Sequence, residues 1–209
     1  MTIDNRTFMN KTLADYEEQS TFGDELGYMK RYIPIAVLFV FILLIDVHVG
    51  HTIDITLFKD TPVNVYFSPK GGCTNAIINE IEQAKTEIRV QAYSFTSAPI
   101  AKALLKAHKR GINVQVILDK SQKSQKYTSA TFLINSGIPT YIDSKHAIAH
   151  NKIMIIDKEI VITGSFNFTK AAEEKNAENL LIITSKELSG QYSENWKNHF
   201  EHAEKYLRE

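Results

Sequence analysis

In the stretch HNKIMIIDKEIVITGSFNF, residues 150–168, four polar side chains of complementary chemistry interrupt an apolar pattern: His150, Lys152, Ser165 and Asn167. A histidine offers a nucleophile or a proton carrier, a lysine a positive charge, and a serine and an asparagine neutral donors. That set suits a phosphate group. Alternate residues of a strand share a face, so His150 points with Lys152, and Ser165 with Asn167. A two-residue turn at Lys158-Glu159 pairs Asp157 with Ile160, setting Lys152 opposite Ser165 and His150 opposite Asn167. A turn at Asp157-Lys158 shifts the partners by two and keeps the same faces together. Either register gathers the four groups on one patch and turns Asp157 away from it.

Other chemistries lack their residues. No glycine-rich loop opens a helix with a Lys-Ser/Thr pair, so a nucleotide-binding P-loop is not supported. No carboxylate cluster suggests a metal, and the His-x-x-x-His spacing of His146 and His150 is not read as a metal pair, so no metal ligand and no cofactor is expected, and metal-free phosphoryl chemistry remains. A single cysteine, Cys73, excludes an internal disulfide and a multi-cysteine zinc site, and reads as a small residue near a helix start. His146, in SKHAIAH, reads as a surface residue.

The surrounding pattern alternates strands and helices. Strands are expected at 63–67, 87–95, 112–119, 138–142, 150–157, 159–165 and 179–184, and helices at 73–85, 98–110, 129–136 and 186–206. The expected fold class is therefore α/β, a mixed β-sheet sandwiched between helices, the late hairpin arguing against a fully parallel sheet. This catalytic domain is placed at 62–209, after a polar tail (1–31), an apolar segment (32–49) and a linker (50–61). Ile33–Ile45 is unbroken apolar sequence preceded by Lys30 and Arg31. It is short for a spanning helix, which needs about 20 residues, and of ordinary length for a signal-peptide core. A transmembrane signal-anchor that holds the catalytic domain outside the cytoplasm is preferred. A start at Met29 would instead give a compact signal peptide and a periplasmic or secreted product.

The chain is 44% hydrophobic, and its 24 basic and 24 acidic residues balance overall. The balance hides an asymmetry, because from Thr61 onward 19 Lys and Arg face 15 Asp and Glu. A polyanionic partner is thereby allowed. Lys120, Lys123 and Lys126 lie in the polar stretch KSQKSQK, which could follow a phosphate backbone.

His150-x-Lys152, four residues, Asp157, six residues, Gly164-Ser165, then Asn167 resembles the signature of the phospholipase D superfamily. The flanks AYSFTS, KRGINVQVILDKSQ and GSFNFTKAAEEKNAEN are similar to its short bacterial endonucleases, from about Val63 to the C-terminus. The resemblance implies a phospholipase D-like fold and a nucleophilic His150 that forms a covalent phosphohistidine. Lys152 and Asn167 would hold the phosphate oxygens with Ser165 assisting, Glu178 would orient the histidine, and Asp157 would be structural with Gly164. One motif per chain implies a homodimer sharing one site. A nucleic acid is the expected substrate, with a phospholipid headgroup as the alternative, in a protein of the bacterial inner membrane.

Overall fold

A computed structural model describes residues 61–125 and 128–207. The polar tail, the apolar segment, nearly all of the linker and Lys126 lie outside the described residues. Among the described residues no helix is long and apolar enough to cross a membrane.

The first half of the domain runs β1 (Val63–Ser68), α1 (Cys73–Gln83), β2 (Glu87–Ala92), α2 (Ala98–Lys109), β3 (Asn113–Asp119) and α3 (Ala130–Asn135). The second half runs β4 (Thr140–Asp143), β5 (Lys152–Ile156), β6 (Ile160–Gly164), α4 (Lys170–Glu174), β7 (Glu178–Thr184), α5 (Lys186–Phe200) and β8 (Glu204–Lys205). The strands form one mixed sheet in the order β1-β7-β6-β5-β2-β3-β4-β8. β2, β3 and β4 are parallel, joined through α2 and α3, whereas β5, β6 and β7 alternate direction as the late hairpin requires.

Period-two alternation divides the core. Val90, Val116, Met154, Ile162 and Leu180 face one layer, where they meet Ile77 and Ile81 of α1 and Ile100 and Leu104 of α2. Ile117, Ile153 and Ile155 face the other and meet Trp196 of α5. Each such side chain removed from water contributes about 1.5–3 kcal/mol. β5 is buried on both faces, which is why it reads as a continuous apolar run. By the same alternation Lys152 lies on the face of Met154 and Glu178 on that of Leu180, both at strand starts beyond the apolar layer.

The β5–β6 hairpin differs from both expected registers. Ile156 pairs with Ile160 and Met154 with Ile162, leaving the three residues Asp157–Glu159 as the loop. Asp157 and Lys158 both adopt left-handed conformations, with φ 52° and 56°. The Glu159 N–H donates to the Ile156 carbonyl at 3.0 Å, as in a type I′ turn. The Glu159 carbonyl is used elsewhere, accepting the Ser185 N–H at 2.8 Å. The odd loop length moves the register by one residue and sets Lys152 level with Gly164, not Ser165.

Gly164 compensates. Its φ is 143°, and a Cβ there would stand 2.3 Å from the Asn179 carbonyl oxygen, so only glycine permits this turn away from the ladder. Beyond it, fully buried Phe166 and Phe168 alternate with half-buried Ser165 and Asn167, keeping the latter two on one side. Other boundaries also differ. His150 precedes β5 instead of lying within it, and the expected helix 186–206 stops at Phe200, because the chain turns back to lay β8 against β4.

Candidate active site

His150 is exposed, with its ring centroid 4.5 Å from that of Tyr93. Two residues on, Lys152 is 6% exposed, and its Nζ lies 3.0 Å from His150 Nδ1 and 3.0 Å from the His150 carbonyl oxygen. The same ammonium stands 5.2 Å from the Tyr93 ring centroid. An ammonium has only protons to give, so Nδ1 accepts and a neutral ring carries its proton on Nε2. Burial pushes the Lys152 pKa down, and the Glu178 carboxylate opposes that shift.

Ser165 Oγ donates to Glu178 Oε2 at 2.6 Å, and Asn176 Nδ2 donates to Oε1 at 3.1 Å. Among the described residues Glu178 has no hydrogen bond to His150. It neighbours Lys152 through charge, so the orienting bond that the resemblance implied is not present in this conformation. Asn167 Oδ1 is buried without a hydrogen-bond partner among the described residues. A buried, unmatched amide of this kind is costly unless something binds it.

Three groups that the sequence reading passed over position this patch. Asp119, 2% exposed, accepts the Ala149 N–H at 2.7 Å and the Ser121 N–H at 2.9 Å, fixing the backbone one residue before His150. Burial would raise its pKa, but the bonds from Ser121 and Ala149 prevail and hold it below the ordinary value. Tyr93 flanks His150. Gln122, 1% exposed, accepts the Phe95 N–H at 3.3 Å. Only the apolar run around Asp119 was visible in sequence; its partner Ala149 is 30 residues away.

A cleft of about 320 Å³ opens beside Tyr93, lined by Ser94, Ser121, Gln122, Ser124 and Gln125. The KSQKSQK stretch thus presents hydroxyls and amides to the cleft. Lys120 is exposed, and Lys123 is paired with Glu204 at 3.3 Å. Asp157 sits at the far end of the hairpin from His150. Its carboxylate accepts N–H bonds from Lys85 (2.8 Å), Thr86 (2.7 Å) and Glu87 (3.1 Å), tying the hairpin to the loop after α1.

A second polar group was not anticipated. Asp143, His146, His199 and His202 converge near the end of β4, each offering a ligand atom within 4.8 Å of the others. The sequence reading, which expected no metal ligands, looked for close spacing. Folding brings these four together from segments 56 residues apart.

The family model described as "Cardiolipin synthase, PLD-like domain" matches residues 77–200. A phospholipase D of Rickettsia conorii is 44% identical over 145 residues, covering 69% of this chain and 72% of that protein. A mitochondrial cardiolipin hydrolase of Canis lupus familiaris is 30% identical over 111 residues, 53% of this chain and only 44% of its own length. Among solved structures, a phospholipase D family member, Nuc from Salmonella typhimurium, superposes with a TM-score of 0.68 at 39% identity, covering 71% of this chain and 100% of that one.

Proposed function

The chain belongs to the phospholipase D superfamily, whose members are phosphodiesterases, and on that premise we propose that it is an endonuclease cutting DNA or RNA with little sequence preference. The observation that carries this reading is the exposed His150 imidazole held 3.0 Å from a buried lysine ammonium. A phosphodiester entering the site draws Lys152 onto its non-bridging oxygens, with Asn167 as a second holder. His150 Nδ1 is then released from the ammonium, and the ring proton can move to it, freeing Nε2. Nε2 attacks phosphorus, an N–P bond forms, and the P–O bond to one sugar breaks. His150 of a second subunit protonates the leaving oxygen and later takes a proton from the water that cleaves the N–P bond. No metal takes part in these steps.

The polar cleft beside Tyr93 favours nucleic acid, since an aromatic face and amide donors serve bases of any sequence. A phospholipid headgroup is the second reading. It is favoured by Ile148, 60% exposed and two residues before His150 on the same loop, and by the relatives named phospholipase D. Anchoring of residues 32–49 in the bacterial inner membrane, with the catalytic domain outside the cytoplasm, is part of the proposal.

The test uses the full chain in mild detergent with excess EDTA, offered labelled single-stranded DNA, RNA and cardiolipin vesicles in parallel. Cleavage of nucleic acid that disappears in His150→Ala is the expected result. Cleavage of lipid alone would reverse the ranking, and unchanged turnover in His150→Ala would overturn the nucleophile.

A further inference from the structure

Three histidines surround one carboxylate on the β4 side of the sheet. Asp143, at the end of β4, is fully buried. His199 Nδ1 lies 2.7 Å from its Oδ2, His146 Nδ1 3.0 Å from the same oxygen, and His202 Nε2 3.3 Å from Oδ1. The three imidazoles pack on one another, with ring centroids 4.7 Å (His146 and His199), 5.2 Å (His146 and His202) and 5.5 Å (His199 and His202) apart. Two of the rings hydrogen-bond the carboxylate. The third does not: His202 Nε2 is buried with no hydrogen-bond partner among the described residues.

We propose that Asp143, His146, His199 and His202 form a structural site for a zinc-like divalent cation that tethers the loop presenting His150. Three imidazole nitrogens and one carboxylate oxygen are a complete tetrahedral ligand set of the kind zinc takes. Such a site places neighbouring ligand atoms roughly 3.3 Å apart, so four atoms already within 4.8 Å of one another need only small rotations. Imidazole ligands select zinc and its first-row neighbours over magnesium or calcium. On binding, His146 and His199 exchange their Nδ1–H···O bonds for N–metal bonds, with their protons held at Nε2. His202 Nε2 gains the partner it lacks.

The ligands come from three places. Asp143 ends β4, His146 lies in the loop running to His150, and His199 and His202 flank the end of α5, where the chain turns to pair Glu204 with Ile142. One ion would therefore fasten the base of the His150 loop to the last helix. The far end of that loop is already held by the bond from the Ala149 N–H to Asp119. With all four positions filled by protein, the ion has no open position for substrate, so it is structural and takes no part in phosphoryl transfer.

Full-length protein, purified without chelator and dialysed, is assayed for metal by inductively coupled plasma mass spectrometry. After metal removal it is titrated with Co²⁺ and read by visible absorption. The expected result is about one ion per chain and the intense d–d absorption of tetrahedral cobalt. His150→Ala should retain both signals. The double variant His199→Gln, His202→Gln should lose both, with Co²⁺ affinity reduced beyond the ~10–100-fold that loss of a supporting group outside the ligand shell produces. Wild-type protein that holds no metal and gives no tetrahedral cobalt spectrum would overturn the site, whether or not the variant folds. So would full metal content in the double variant, or loss of metal in His150→Ala.

Discussion

Ser165 Oγ donates a 2.6 Å hydrogen bond to Glu178 Oε2, joining the residue just past β6 to the first residue of β7. The same Ser165 oxygen accepts the Asn179 N–H at 3.1 Å. One hydroxyl thus closes the end of the β6–β7 ladder and fixes the carboxylate whose charge steadies the Lys152 ammonium.

Two substitutions separate those duties. Ser165→Ala strands the Asn179 N–H and leaves Glu178 held by Asn176 alone, so stability should fall by about 1–2 kcal/mol and activity by roughly 100-fold. Glu178→Gln keeps an acceptor for Ser165 but removes the charge that holds the Lys152 pKa up, so the alkaline limb of its kcat–pH profile should move to lower pH. An unmoved limb would mean that Glu178 does not act through Lys152.

Lys152 itself should be a liability to the fold. Its folded pKa lies below the ordinary 10.5, with burial as the main cause. The folded state therefore binds the proton more weakly than the unfolded state. The resulting cost is complete where both states are protonated and disappears as pH rises from the folded value through the unfolded one. Lys152→Met should raise the thermal midpoint at pH 7, narrow that advantage above pH ~10.5, and lower kcat by about 10²–10³-fold. Calorimetry at both pH values checks it. A variant less stable at pH 7 would show that the bonds to His150 outweigh the buried charge.

The limits of the sequence reading have the same physical origin as the site. Period-two alternation placed the strands, and Ser165 and Asn167 on one side, because buried Phe166 and Phe168 enforce it. The hairpin register could not be read from pattern, since the left-handed pair that makes the turn, Asp157 and Lys158, contains no glycine and puts Lys158 at a φ that its type disfavours. Gly164 is present in the sequence, but its backbone contact with Asn179 exists only once β6 and β7 pair. Asp119 reads as a strand end, and Asp143 as the residue just past one. Ala149 in one case, and His199 and His202 in the other, are partners distant in the chain, and no local period announces them.

Asp157 should govern acid stability at the other end of the hairpin. Burial alone would raise its pKa, but N–H bonds from Lys85, Thr86 and Glu87, with the Thr86 hydroxyl, hold it below the ordinary 3.8. Its contribution is thus complete above the unfolded value and is lost as pH falls through the folded one. At pH 7, Asp157→Ala should cost roughly 2–3 kcal/mol, combining lost charged hydrogen bonds with a left-handed backbone that alanine disfavours. Asp157→Asn, which tolerates that backbone and keeps one acceptor, should cost about half as much. Urea titrations at pH 7 and below pH ~3 test this, since the gap between wild type and Asp157→Ala should narrow sharply at the lower pH. A gap independent of pH would assign the cost to backbone strain alone.

A shared active site makes a quantitative prediction about mixed subunits. In the proposed mechanism, one motif per chain with His150 exposed on each leaves the proton carrier to a second subunit. Each dimer then has one site that needs two His150 side chains. Wild-type and His150→Ala chains, unfolded together and refolded at varied ratios, should show activity that follows the square of the wild-type fraction. An equal mixture should retain about one quarter of the all-wild-type activity at constant total protein. Independent sites would give a linear dependence and about one half. Sedimentation of the same samples should give twice the 23.7 kDa chain mass throughout. A linear dependence, or full activity in a strictly monomeric sample, would remove the second His150 from the mechanism and require another proton carrier within the same chain.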